Sequence, residues 1–475
     1  ILVRQTTGCS PLWERPAAMP ASRSAIGLQA GTKLPHGLQR CKPGSIRYNL
    51  QPFWLDLPMA ICGIDFGTSN STCGIHIAGK PLLLPLDDGK PTLPSVLFYD
   101  FEAETTLFGR AAINEYVCGT EGRLLRSLKS VLGTALMDAD TEIQNQRIGF
   151  RQILATFMAE LKQRAEIAAG QPLRQAVLGR PVHFVDDDAQ ADRRAEATLA
   201  EIAQSIGFSE LAFLPEPIAA AFDYEQQVSR EQLVLIVDIG GGTSDFSLIR
   251  LAPQRHRLHD RRGDILANAG IHIGGTDFDR LLSLREVMPL LGMGGRMRGK
   301  NTEVPANYYH LLSTWHTINF LYERKLRREL DDVLAEVEDR TGFGRLLRIV
   351  DDRAGHMLAI AVEAAKIGCC VEGHGRLQLD MLEAGLEKIL ALEQFEAAVD
   401  EAIGKIAGTV ASLCADAGVR PGEIATLFVT GGASGVPRLM QAIRTQVPAA
   451  QLVEGDRFGS VGTGLALAAQ RLFGA

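Results

Sequence analysis

One turn occurs twice in this chain, and few folds can use it twice. Residues 61–75 read Ile-Cys-Gly-Ile-Asp-Phe-Gly-Thr-Ser-Asn-Ser-Thr-Cys-Gly-Ile; residues 234–249 read Val-Leu-Ile-Val-Asp-Ile-Gly-Gly-Gly-Thr-Ser-Asp-Phe-Ser-Leu-Ile. Each copy is an apolar strand, an Asp at its end (Asp65, Asp238), a Gly two residues on (Gly67, Gly240), a Thr (Thr68, Thr243), and a second strand. Glycine there permits positive φ and a close approach of a ligand to the backbone. Turn N–H groups and Ser or Thr hydroxyls then donate to anionic oxygens, while a carboxylate at the strand end can hold a hydrated divalent cation. A single copy reads more readily as an ordinary hairpin, since Asp-x-Gly is common turn chemistry. Two copies, with Asp65 and Asp238 173 positions apart, predict one turn per lobe, gripping a polyphosphate from both sides.

A third glycine site follows a buried apolar strand. Residues 427–437, Leu-Phe-Val-Thr-Gly-Gly-Ala-Ser-Gly-Val-Pro, predict a strand, a turn at Gly431 and Gly432, and a helix whose first turn holds Pro437. The adjacent glycines and Ala433 leave room for a flat base or a ribose on the backbone. Two segments rich in small residues, 213–222 and 458–469, predict helices that approach one another closely, as a hinge requires; plain helix packing accounts for either one alone.

These motifs resemble those of the actin-like ATPases. Residues 65–75 and 238–245 are similar to their two phosphate motifs, 430–437 to their adenosine motif, and the two small-residue helices to their connecting motifs. Residues 271–279, Ile-His-Ile-Gly-Gly-Thr-Asp-Phe-Asp, resemble a stretch of DnaK-type heat-shock protein 70 chaperones, and details are closest to the short YegD-like branch. The resemblance runs from about Met59 to the C-terminus. It implies an α/β fold of two actin-like lobes built on ribonuclease H-like repeats, with the nucleotide in the cleft between them. Lobe I is expected over 59–233 and lobe II over 234–475, with an inserted subdomain at about 282–352 and a last helix at about 458–473 returning to lobe I.

The resemblance also implies roles. Asp65 and Asp238 match the aspartates that hold hydrated Mg²⁺, and Thr68 and Thr243 the hydroxyls near the β- and γ-phosphates. Glu216 matches the acid that orients the ion's water shell, and Asp245 an acid that helps place ions and water. Lys129, four residues before Gly133, matches the lysine that meets the γ-phosphate; Arg123, Arg126 and Lys129 are also spaced for one solvated helix face. Gly67, Ser69, Asn70, Gly240, Gly241, Gly242, Gly274 and Gly275 are expected around the phosphates, with Gly431, Gly432 and Ala433 under the nucleoside. Glu363 and Lys366 match the pair that grips ribose hydroxyls. Three base-pocket positions depart from the family: Ile367 and Gly435 stand where it carries Arg, and Phe458 where it usually carries Asp. The expected cofactors are ATP/ADP and Mg²⁺. The expected activity is slow Mg²⁺-dependent ATP hydrolysis, with a cleft motion that acts on a client protein or co-chaperone. A small-molecule kinase, an actin-like filament protein and a nucleotide sensor without turnover are the rivals.

Composition excludes other classes. Net charge of −7, with no basic stripe, argues against nucleic acid, and no apolar run has the length of a membrane helix. The eight cysteines form no C-x-x-C pair, which argues against zinc and redox motifs and fits a reducing cytoplasm. Residues 1–58 carry seven Lys/Arg against two acids and no periodic pattern. They are expected to be an upstream extension, with Met59 the true start, rather than a targeting segment. The chain stops at Ala475 without an acidic-apolar linker or further strands, so the family's β-sandwich peptide clamp is expected to be absent. Tyr308, Tyr309, Trp315 and His316, before a charged helix expected at 322–340, are either a partner surface or packing for the insertion.

Overall fold

The computed structural model describes residues 60–144, 146–255, 258, 260–299 and 301–474; the expectations for Met59 and residues 1–58, Cys9 and Cys41 among them, lie outside these. The first sheet starts with β1 (Ala60–Phe66), β2 (Asn70–Ile77) and β3 (Lys80–Leu83), an antiparallel meander. It is completed later in the chain by helix α1 (Phe150–Ala169), β4 (Leu173–Arg180), α2 (Ala189–Ser205), β5 (Glu210–Pro215) and α3 (Glu216–Glu225). β4 pairs parallel with β1 and β5 parallel with β4, giving the order β5-β4-β1-β2-β3, with the short strand Leu93–Pro94 also on β2. The chemistry of α2 shows why it starts where it does: the Asp188 carboxylate accepts from the N–H groups of Gln190 and Ala191, at 3.0 and 2.9 Å.

The second sheet repeats this plan. It comprises β6 (Gln232–Ile239), β7 (Ser244–Leu251), β8 (Ile265–Ile271), then β9 (Thr426–Thr430) and β10 (Gln451–Glu454), in the order β8-β7-β6-β9-β10. β6, β7 and β8 are antiparallel neighbours; β9 and β10 run parallel to β6 and β9 respectively. Strand by strand, order and sense match the first sheet. Between β8 and β9 come α4 (Gly275–Glu286), α5 (Arg324–Glu336), α6 (Arg340–Asp351), α7 (Gly355–Glu372) and α8 (Leu392–Asp416). Helix α9 (Pro437–Gln446), with Pro437 in its first turn, joins β9 to β10, as α2 joins β4 to β5; α10 (Ser460–Phe473) follows β10 as α3 follows β5. The two strand-one aspartates, Asp65 and Asp238, therefore hold corresponding places in two copies of one topology.

Each sheet has its own core. Ile64, Phe66, Phe157, Leu161, Leu178 and Leu199 belong to the first, and Leu235, Val237, Phe246, Phe278, Phe395 and Leu427 to the second. A third apolar cluster joins them: Ala219, Ala220 and Phe222 of α3, Leu465, Ala468 and Ala469 of α10, and Val177, Val234, Ile236 and Phe428 from the sheets. Small residues matter here because backbones touch. A Cβ on Gly464 would lie 1.7 Å from the Ala219 carbonyl oxygen, and one on Gly63 of β1 would lie 2.2 Å from the Leu465 carbonyl carbon. Helix α10 thus returns onto β1, β2 and β4.

One expectation is corrected and two alternatives that the sequence left open are decided. The charged helix expected at 322–340 is shorter, Arg324–Glu336, and a separate helix begins at Arg340 behind Asp339, whose carboxylate accepts from the Gly342 N–H at 3.0 Å. Tyr308, Tyr309 and Trp315 form no exposed aromatic patch: all three are buried, because the inserted helices need their area as core. Arg123 and Arg126 are not on a helix with Lys129. They lie in the strand Gly122–Arg126, Ser127 takes φ 60°, and Lys129 follows in a single 3₁₀ turn, Leu128–Val131. Among the described residues the cysteines are unpaired, and Cys62 and Cys73 are buried in β1 and β2 as small apolar side chains. No single helix among them is long and apolar enough to cross a membrane.

Candidate nucleotide-binding cleft

The ends of β1 and β6 open into one cleft of about 380 Å³, within the range of small-molecule sites. At its inner end lie Asp65, Gly67, Thr68, Ser69 and Asn70 from one turn, and Asp238, Gly240, Gly241, Gly242 and Thr243 from the other, with Lys129 and Glu216 beside them. The turns touch. A Cβ on Gly241 would come within 2.2 Å of the Ser69 hydroxyl, and one on Gly242 within 2.9 Å of the Thr68 hydroxyl. Glycine serves close approach in both turns and not, as expected, positive φ, which Gly67, Gly240, Gly241 and Gly242 do not adopt. The first turn is braced from behind: the Ser95 hydroxyl donates to the Gly67 carbonyl at 2.7 Å, and the Ser95 N–H to the Ser69 carbonyl at 2.9 Å. The second is held by the start of α4, where the N–H groups of Gly275 and Thr276 donate to the carbonyls of Gly240 and Gly241 at 3.0 and 2.7 Å.

At the inner end carboxyl groups outnumber cations. Burial pushes the Asp65 carboxyl up to about 7, with the neighbouring Glu216 adding to it and Lys129 opposing. Asp238 is raised well above the usual carboxylate range by burial, then by Glu216, Asp245 and Asp65. Lys129 is buried and ion-paired with Glu216. Burial alone would lower its pKa, but Glu216 and Asp65 outweigh it, so the ammonium is held charged. One cation among three cleft-lining acids leaves a deficit that a further cation relieves. Among the described residues no three carboxylates or imidazoles converge tightly enough to ligate a metal directly. The donor set therefore fits a divalent ion held through its water shell, which is the way Mg²⁺ prefers to bind. Thr68, Lys129 and Thr243 also line a second, small cavity of about 20 Å³, with Pro181 and His272; this is space for one water.

Two expected residues do not line the cleft. Asp245 faces Asp238 across the β6–β7 pair and is buried, with one carboxylate oxygen accepting from the Val182 N–H at 2.6 Å; burial, then Glu216, pushes it up to about 7. Gly274 packs against the Gly241 backbone, where a Cβ would come within 2.7 Å, and so shapes the second turn from behind.

Glu363 and Lys366 do reach the cleft from α7, already engaged. Arg126 grips Glu363 with two bonds of 2.7 and 2.9 Å while its guanidinium lies 4.2 Å from the centroid of Trp315. Burial would raise the Glu363 carboxyl, but Arg126 overrides it and holds it low. Lys366 pairs with Asp279 at 2.7 Å and donates to the Gly275 carbonyl at 3.1 Å; burial pushes Asp279 up to about 6 against that lysine. Arg126 and Asp279 were not picked out from sequence as site residues. Asp279 ends the Gly-Gly-Thr-Asp-Phe-Asp stretch and could have been found there; Arg126 was concealed by its helix-like spacing from Lys129.

At the outer end, Gly431, Gly432 and Ala433 form the floor. Gly431 has φ 86° and packs on β6, where a Cβ would meet the Ile239 carbonyl oxygen at 2.3 Å. The three departing positions, Ile367, Gly435 and Phe458, all line this end, joined by Arg457, which sequence reasoning missed.

Comparison with known families agrees with the geometry. The family model described as Hsp70 protein matches residues 61–286, a stretch holding both turns, Lys129 and Glu216. The match supports a place for the chain in the Hsp70/actin-like ATPase superfamily and, in general terms, an Hsp70-like ATPase of chaperone type that uses ATP/ADP.

Proposed function

We propose that the chain binds Mg²⁺-ATP between its two turns, hydrolyses it slowly, and uses the resulting change of the cleft to act on a partner protein in the cytoplasm, as a member of the YegD-like branch. One observation carries the reading: two aspartates at matching strand ends, two Gly/Thr turns and one buried, charged lysine share a single cleft. Mg²⁺, when bound, would neutralise charge on the phosphate oxygens. The chain's own contribution is positioning. Asp65 and Asp238 would accept from the ion's waters, and Thr68, Thr243 and the turn N–H groups would donate to the phosphates. Lys129, kept protonated by Glu216, would turn toward the terminal phosphate and stabilise the charge that develops there. Glu216 opens α3, so a change at its carboxylate is passed to the helix that packs on α10. Glu363 and Lys366 would meet the ribose, Glu363 only after sharing or leaving its bond to Arg126.

Lys129→Ala and Asp238→Asn are each expected to lower steady-state phosphate release at least a hundred-fold while circular dichroism stays unchanged. Release at the wild-type rate in both variants would overturn the reading. The replaced base-pocket positions favour one second reading, a nucleotide sensor with negligible turnover. Binding of ATP without phosphate release by the wild-type protein would establish it, and transfer to a small hydroxyl compound would instead establish a kinase.

A further inference from the structure

The outer end of the cleft differs in kind from its charged interior. One face of α7 presents Glu363, Lys366, Ile367, Cys370 and Val371 to it, the helical spacing that puts side chains in a row. Ile367 and Val371 are 53% and 77% exposed, although both are large and apolar. Across the cleft, Phe458 is 49% exposed, and its ring covers Gly432 so closely that a Cβ there would lie 3.2 Å from it. Beside it the Arg457 guanidinium occupies the space next to Gly435, 3.0 Å from where a Cβ would be, and makes no ion pair among the described residues. An aliphatic wall, an exposed aromatic ring and an unpaired guanidinium therefore bound one end of a cavity whose other end holds the phosphate turns.

Resting on the nucleotide reading above, we propose that this end is a stacking slot for a purine base. The base would lie on the Phe458 ring and the Arg457 guanidinium, with Ile367 and Val371 closing the opposite side. Stacking on an aromatic ring and under a guanidinium uses the π-face that every purine has. Apolar walls discriminate only weakly between bases of similar shape, because strong rejection needs buried donors or acceptors that the wrong ligand leaves unpaired. The Glu363 carboxylate is already held by Arg126, and Phe458, Arg457, Ile367 and Val371 supply no acceptor that would select the adenine amino group. Arg457 offers donors alone, and the acceptor nitrogen at the five-membered ring edge is common to adenine and guanine. The nucleotide preference that follows is purine over pyrimidine, with little separation of ATP from GTP.

Equilibrium titration of the whole protein with Mg²⁺ and fluorescent-nucleotide displacement tests this. ATP and GTP should displace the probe with affinities within about ten-fold of one another, and CTP and UTP more weakly. Phe458→Ala should weaken ATP binding roughly ten-fold, as loss of one stacking partner does, while Phe458→Tyr retains it and inorganic tripolyphosphate binds both proteins equally. Tight ATP binding with GTP weaker by a thousand-fold, or an unaltered ATP affinity in Phe458→Ala, would overturn the slot and leave the ATPase reading standing. Absence of binding by every nucleotide would overturn both.

Discussion

Asp238 shows how the site trades stability for a ligand. Its carboxylate is buried at the end of β6, near Glu216, Asp245 and Asp65, with Lys129 already committed to Glu216. Like charges crowded in low dielectric oppose folding until something positive arrives. Asp238→Asn removes one of them at nearly constant shape. The nucleotide-free variant is expected to be more stable than the wild type at pH 8, by about 1–2 kcal/mol in urea denaturation, even though it loses phosphate release. A variant less stable than the wild type would show that the aspartate is structurally satisfied after all. The residue types at this end were legible in the sequence because Asp-x-Gly followed by Thr is local chemistry. The engagement of Glu363 by Arg126 was not, because the partners lie on elements far apart in the chain and meet only when a strand and α7 are brought together.

Helices α3 and α10 meet where Gly464 faces Ala219, with no room for a side chain between their backbones. Gly464→Ala must push the helices apart or unseat α10 from β1, and the expected cost is about 3 kcal/mol or more, read by chemical denaturation. Gly404→Ala, on α8 with open space around its Cβ, is the control and should change stability by less than about 1 kcal/mol in either direction. Sequence showed both helices through their runs of small residues, and showed the strand-turn-strand units through their apolar flanks. It misread the insertion. An even mixture of charge from Tyr322 to Arg340 looks like one helix, whereas Asp339 caps a second one and divides it. Aromatic residues in sequence likewise do not reveal whether they face solvent or core; the inserted helices decide that by covering Tyr308, Tyr309 and Trp315.

For the molecule as a whole, the crowded acids give stability a definite pH dependence. Asp65 and Asp245, pushed up to about 7 in the folded protein from the usual carboxylate range, bind protons more tightly in the native state than in the unfolded chain. The stability they contribute is complete below about pH 4 and lost as pH rises through about 7. The thermal midpoint without ligand is therefore expected to fall by several degrees between pH 5.5 and pH 8, and the fall should shrink in Asp65→Asn. Saturating Mg²⁺-ATP at pH 8 should restore stability by mass action, by about 2.7 kcal/mol at a hundred times the dissociation constant. A midpoint independent of pH would mean the acids are compensated from within. The repeated strand order has a further consequence. Because each half brings one aspartate-bearing loop to the seam, a polypeptide of half this length could have built a symmetric version by pairing with itself. Fusion into one chain then frees the halves to diverge, and the inequality is already visible: one supplies Lys129 and Glu216, the other Glu363, Lys366 and the floor of Gly431, Gly432 and Ala433.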